Sequence, residues 1–377
     1  MLNRFTEPIL VTRPLLPDLT KVNNQLEEVW QSHWITNNGP KSKELENSLK
    51  DYLEAENVSL FNNGTLALLL GLKALGIKGE VITTPFTFPA TTEVLDWLGI
   101  TPVFCDIDPD TLCIDANKIE GLITDKTTAI LPVHVFGNFC DVITIQEIAD
   151  KYKLKIIYDG AHVFGSKLNN KSISSYGDMT MFSFHATKLF NTIEGGAVVF
   201  KNDRLKEKLN QLKNFGLNQN GEVERSGLNA KLNEIQASVG LEVLNIVPEE
   251  RVQRERVRLL YEENLKDIPG IRIITKNKGV ESSYQYFTIE IEEESFGISR
   301  DKLFDKLKEF NIFTRKYFHP LCSSFRWYKH LESTHHLPVA EETVQKVLAM
   351  PYYGELSNDD VYKICEVIKY IHERSLT

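Results

Sequence analysis

Met179-Thr-Met-Phe-Ser-Phe-His-Ala-Thr-Lys188-Leu-Phe-Asn-Thr-Ile-Glu-Gly-Gly196-Ala-Val-Val-Phe200 is a pair of short apolar runs joined by a polar loop that carries one lysine. Residues 179–183 and 196–200 have the length and β-branched or aromatic content of buried strands. Similar runs come earlier at 80–84, 101–105, 128–133 and 154–158, with longer stretches of helical periodicity between them. Strands alternating with helices specify a mostly parallel α/β sheet covered on both faces. In that architecture ligands sit at the carboxyl ends of the strands.

Just past those ends lie Pro85-Phe-Thr-Phe88, Asp106, His134, Asp159-Gly-Ala-His162 and the loop that carries Lys188. Residues far apart in sequence are thus expected on one sheet edge. Further on, 228–247 reads as an amphipathic helix, Pro248 is expected to end it, and 249–267 reads as a second, charged helix. The domain change is placed there, with a large domain at 1–247 and a smaller α+β domain at 248–377 on which the N-terminal segment can pack. In the smaller part 284–291 reads as a strand, 301–309 and 359–373 as helices, and 276–279 and 322–336 as loops.

The chain has 377 residues, of which 42% are hydrophobic and 25% charged, which suits a globular protein large enough to enclose a cofactor. A net charge of −9 and the absence of long Lys or Arg blocks argue against nucleic acid as the partner. Five scattered cysteines without C-x-x-C spacing read as reduced thiols, with neither disulfides nor a metal site. The polar N-terminus and the lack of an eighteen-residue apolar run lead us to expect a cytoplasmic protein without membrane segments. No G-x-G-x-x-G follows the first strand, which disfavours a dinucleotide-dependent oxidoreductase.

The chemistry-bearing residues form a set. Lysine reacts with carbonyls as the neutral amine, which burial or a nearby cation favours, so Lys188 past a buried strand is a candidate nucleophile. Asp159, at the end of the preceding strand, could keep a pyridine nitrogen protonated. Gly64 and Thr65 open an apolar helix after Phe61-Asn-Asn, and a helix N-terminus with a hydroxyl beside it can hold phosphate. Phe88 could stack on an aromatic ring. His185 and His319 could move protons near neutral pH.

Taken in order, Asn63-Gly-Thr65, Pro85-Phe-Thr-Phe88, Asp159-Gly-Ala-His162, Ser183-Phe-His-Ala-Thr-Lys188, Glu194-Gly-Gly196 and Gly227-Leu-Asn229-Ala-Lys-Leu-Asn-Glu-Ile-Gln236 resemble the DegT family of nucleotide-sugar aminotransferases dependent on pyridoxal 5′-phosphate (PLP). The resemblance spans nearly the whole chain. It implies a fold-type I aminotransferase with a seven-stranded sheet, acting as a homodimer. It further implies that Lys188 is the Schiff-base lysine and proton shuttle, with Asp159 at the ring nitrogen and His162 near the ring hydroxyl. Gly64, Thr65 and Ser183 would hold the phosphate, Phe88 would stack on the ring, and Asn229 would reach the partner's phosphate.

Arg13-Pro-Leu-Leu-Pro-Asp18 and Trp34-Ile-Thr-Asn-Asn-Gly-Pro40 are similar to the branch that passes the amino group of L-glutamate to carbon 4 of dTDP-4-keto-6-deoxy-D-glucose for cell-surface glycans such as O-antigen. On that likeness Trp34, Asn37, Lys316, Tyr317 and His319 are expected to meet the sugar nucleotide. Other outcomes are amination of a different keto-sugar, at carbon 3 or with an axial 4-amine, and a non-catalytic relative that only binds. A dehydratase of the same fold would carry histidine in place of Lys188. Gly160 departs from the alanine usual in the family.

Overall fold

The computed structural model describes residues 3–274 and 277–376. Its large sheet has seven strands: β1 (Asn57–Phe61), β2 (Glu80–Thr83), β3 (Thr101–Phe104), β4 (Thr127–Leu131), β5 (Lys155–Asp159), β6 (Met179–Ser183) and β7 (Gly196–Phe200). They lie in the order β1-β7-β6-β5-β4-β2-β3. β3, β2, β4, β5 and β6 run parallel, whereas β7 is antiparallel to both β6 and β1. The central strands β5 and β6 are buried on both faces, which is why they read as continuous apolar runs rather than alternating ones.

Helices α1 (Leu19–Ser32), α2 (Pro40–Tyr52), α3 (Gly64–Leu75) and α4 (Pro89–Trp97) belong to the same large unit. α3 begins at an Asn63 cap, whose Oδ1 accepts from Leu66 N at 2.8 Å, and stops at Gly76 in the left-handed conformation (φ 75°).

The helix expected to break at Pro248 does not. α5 runs unbroken from Glu234 to Leu265, with Pro248 inside it. It starts later than its periodicity suggests, because Ala230 is tied to Lys213 and Asn62 in the preceding extended segment and Asn233 and Gln236 form a reciprocal capping box. An internal proline costs a helix about 3 kcal/mol. The cost is outweighed by burial at both ends: Val239, Leu241, Val243 and Val247 pack into the core of the large unit, while Val257, Tyr261 and Leu265 pack into a second core. The change of unit thus falls within one continuous helix.

The second core lies under a three-stranded antiparallel sheet, β8 (Ile271–Ile273), β9 (Thr288–Ile291) and β10 (Val347–Ala349), with α6 (Arg300–Glu309) and α7 (Asn358–Ser375) against it. The N-terminal segment joins this unit through Phe5 in the core and an Ile9–Ile312 bridge. Only the last residues of the expected 284–291 strand pair in this sheet. Residues 282–287 have no strand pairing, pass through a left-handed backbone at Tyr284 (φ 53°), and reach the large unit through Ser283 and Gln285. Of the loop expected at 276–279, Lys276 lies outside the described residues. All five cysteines are free and buried.

Candidate active site

Asp159 is the last residue of β5 and is buried. Its Oδ1 accepts from Ala161 N at 3.0 Å and its Oδ2 from the Thr91 hydroxyl at 2.8 Å, and the Thr87 and Thr91 hydroxyls are 2.8 Å apart. Because Thr91 gives its proton to Asp159, Thr87 donates to Thr91. Burial raises the carboxyl above its ordinary value, while the two donors and the charge of Lys188 pull it back down. No cationic side chain forms an ion pair with this carboxylate among the described residues. An ionised acid so placed is stabilised by a protonated partner.

Lys188 leaves the loop after β6, and its Nζ stands 5.8 Å from the centre of the Tyr286 ring. Burial lowers the amine, as does Arg315 to a smaller extent, while Tyr317 and Asp159 pull upward. The neutral nucleophile is therefore reached at lower pH than on an exposed lysine. Arg315 Nη1 donates to the Tyr317 hydroxyl at 2.9 Å, and the Tyr317 and Tyr286 hydroxyls are 3.4 Å apart.

His162 is buried, and burial holds its imidazole well below the usual range, so the ring is neutral. Nδ1 accepts from Phe136 N at 3.2 Å, which leaves the ring proton on Nε2. Behind it Phe136 and Phe318 stack at 5.4 Å, and Phe86 meets Phe318 edge to face at 5.3 Å. Such aromatic pairs add about 0.5–1.5 kcal/mol each beyond burial and make a stiff wall. Phe86 is thus core, whereas Phe88, two residues on at the head of α4, is 60% exposed with its ring face open.

The space beside Gly64 fits a phosphate. A β-carbon on Gly64 would stand 2.9 Å from Ser183 Cβ, so the first turn of α3 and the end of β6 touch only because residue 64 has no side chain. Asn63 satisfies Leu66 N with its side chain and Ala67 N with its carbonyl. The leading amides of Gly64 and Thr65 have no acceptor within the helix, and the Thr65 side chain is exposed. The cradle, the acid without a cation and the lysine of lowered basicity together suit a phosphorylated pyridine aldehyde.

Other expected residues lie elsewhere. His185 is exposed, with Nδ1 2.9 Å from Thr187 Oγ1 and Nε2 3.6 Å from Glu194. Lys316 pairs with Asp301 at 3.1 Å and sits over the Phe304 ring, so it faces α6. His319 is exposed on the far side of Phe318, where burial and the cations Arg300 and Lys316 lower it. Asn229 is exposed and accepts from Lys231 at 2.7 Å. Trp34 and Asn37 are exposed in the loop between α1 and α2, which Glu234 holds by accepting from Lys41 N at 2.7 Å and Ser42 N at 3.2 Å. Asp106 caps the helix Pro338–Lys346, and His134 is sealed against Tyr158. The sequence reading missed Thr91, Gln285 and Tyr286. The alternation of 315–317 along an extended segment would have picked out Arg315 over Lys316.

Fold and site define an α/β aminotransferase of fold type I. The chain matches the DegT/DnrJ/EryC1/StrS aminotransferase family over residues 18–369 and belongs to it. It is 44% identical to the dTDP-4-amino-4,6-dideoxy-D-glucose transaminase of Shigella dysenteriae, over 97% of this chain and 99% of that protein. The structure of DesI in the presence of its TDP-sugar product superposes with a TM-score of 0.95 at 34% identity, covering 99% of this chain and 95% of that one. The sugar aminotransferase Spr1654 of Streptococcus pneumoniae, described as putative and solved in a PLP form, matches with a TM-score of 0.88 at 28% identity, over 97% and 99% of the two chains.

Proposed function

We propose that this aminotransferase moves the amino group of L-glutamate to carbon 4 of dTDP-4-keto-6-deoxy-D-glucose, using PLP carried on Lys188. The product, dTDP-4-amino-4,6-dideoxy-D-glucose, would serve O-antigen or another cell-surface glycan. A cytoplasmic homodimer is the working form, with Asn229 of each subunit turned to its partner's site. The observation that carries the reading is the buried Asp159 carboxylate, which pairs with no cation among the described residues yet lies within the field of Lys188, together with the close approach of Gly64 to Ser183. The name of the Shigella relative and the structure of DesI in the presence of its TDP-sugar product support the choice of sugar nucleotide.

When bound, PLP draws electrons from the carbon that bears the amine, so that a proton can leave that carbon. The protein's own groups do the rest. Asp159, whose ionised form Thr91 and the Ala161 amide favour against burial, would hold a proton on the ring nitrogen through charge attraction. Lys188 Nζ, its basicity lowered by burial, takes the proton from one carbon and returns it to another, first with glutamate and then with the sugar. His162 would offer its Nε2 proton to the ring hydroxyl, and Gly64, Thr65 and Ser183 would anchor the phosphate. Phe88 would cover one face of the ring, while Arg315 and Tyr317 would orient the sugar nucleotide's negative charge near the amine.

Incubation of the purified protein with PLP, L-glutamate and dTDP-4-keto-6-deoxy-D-glucose, followed by NMR of the product, tests the proposal. An equatorial amine at carbon 4 is expected. Turnover of the 3-keto isomer alone would replace the substrate, and a protein that stays colourless after PLP is added would remove the cofactor assignment.

A further inference from the structure

Gln285 is buried at 2% exposure and reaches from the unpaired segment 282–287 to the lysine loop. Its Oε1 accepts from Leu189 N at 2.7 Å and its Nε2 donates to Thr187 O at 3.0 Å. The two peptide units it grips are those on either side of Lys188. A neutral side-chain amide carries one acceptor and one donor in the geometry of a peptide group, so the glutamine acts as a one-residue strand laid against the loop.

The residues around it engage the same site. Ser283 Oγ donates to His162 O at 2.6 Å, and the Tyr286 ring meets His162 edge to face at 4.9 Å while facing Lys188. From there the chain enters β9 of the smaller sheet.

We infer that Gln285 is a positioning residue for Lys188, through which the smaller unit fixes where the amine stands. The inference rests on the assignment of PLP to Lys188. The lysine side chain has four rotatable bonds, and its amine must serve two carbons in turn, so a backbone free to shift would spread the amine over many positions. An amide at 285 also brings no charge, and leaves the lowered basicity of Lys188 undisturbed. A misplacement of about 1 Å at a reacting group can cost roughly a hundredfold in rate.

Gln285→Leu and Gln285→Glu test this. The leucine removes both bonds. The glutamate keeps an acceptor for Leu189 N but loses the donor to Thr187 O, and adds a negative charge that favours the protonated amine. For Gln285→Leu we expect kcat to fall roughly a hundredfold in both half-reactions, with the KM for the sugar nucleotide near that of the wild type and the melting temperature lowered by the two backbone groups left unpaired. Gln285→Glu should lose less and shift its pH–rate profile to higher pH. Independently of turnover, apo-protein mixed with PLP and quenched with borohydride at timed intervals should label Lys188 more slowly in both variants, as read by peptide mass spectrometry. Wild-type kcat and labelling rates in both variants would overturn the inference. So would a loss of kcat matched by a weaker KM for the sugar nucleotide and weaker cofactor affinity, which marks a purely structural part. Failure of the wild-type protein itself to label would instead overturn the PLP assignment on which the inference stands.

Discussion

The Thr91 hydroxyl, at the head of α4, donates to Asp159 Oδ2 at the end of β5, 2.8 Å away, and is itself fed by Thr87. A hydrogen bond to an ionised group is worth about 1.5–3 kcal/mol. Burial already raises this carboxyl, so removing the donor must raise it further. Thr91→Val should therefore move the acid limb of the kcat/KM profile to higher pH, and at a fixed pH on that limb lower kcat/KM roughly tenfold or more. A profile unchanged from wild type would show that the Thr91 bond does not govern the ionisation.

Lys188 gives a prediction with the opposite sign for stability and for activity. Burial lowers the amine below its ordinary value of 10.5, so the folded chain binds this proton less tightly than the unfolded chain does. Stability then rises with pH between the folded and unfolded values, and at neutral pH the buried cation is a cost. Lys188→Met should melt no lower than wild type as apo-protein at pH 7, with any advantage shrinking as the pH nears the ordinary lysine range. Its kcat should fall by roughly 10³-fold or more, because nucleophile and proton carrier are lost together. Calorimetry across pH and a single-turnover assay measure the two halves.

Gly160 follows the acid directly, and a β-carbon there would stand 2.7 Å from Thr180 Cγ2 and 2.9 Å from Met181 O. The alanine usual in the family has no room in this chain unless β6 gives way. Forcing an extra methyl into such a site costs about 1–3 kcal/mol. Gly160→Ala is expected to lower the melting temperature and, by shifting Asp159, to weaken PLP binding in a fluorescence titration. Thr180→Ser should partly restore both, since it removes the nearer of the two obstacles.

Arg315 and Lys316 are adjacent cations with opposite outlooks. Arg315 bonds to Tyr317 and its charge reaches Lys188, whereas Lys316 is held by Asp301. Arg315→Ala should raise the KM for the sugar nucleotide about tenfold, as expected for loss of a charge-assisted contact. Lys316→Ala should change it less than about twofold, since a partly exposed ion pair contributes about 0–1 kcal/mol. Steady-state kinetics with both variants decide between the neighbours.

Six of the seven strands of the large sheet and the polar loops at their ends are legible in the chain, because a strand buried on both faces must be apolar and must stop where polar residues begin, whereas the edge strand Asn57–Phe61 and the true length of the strand at 284–291 are not. Lys188, Asp159 and Gly64 stand out there only as a set and through the family resemblance, since each alone reads as an ordinary loop or cap residue. Which groups face one another depends on how distant segments pack. Thr91 and Gln285 look like ordinary helix and strand residues in the chain, and their hydrogen bonds reach partners that are distant in sequence, which no local periodicity encodes. Pro248 shows the same limit from the other side: a local rule ends the helix there, and burial in two separate cores carries the helix through.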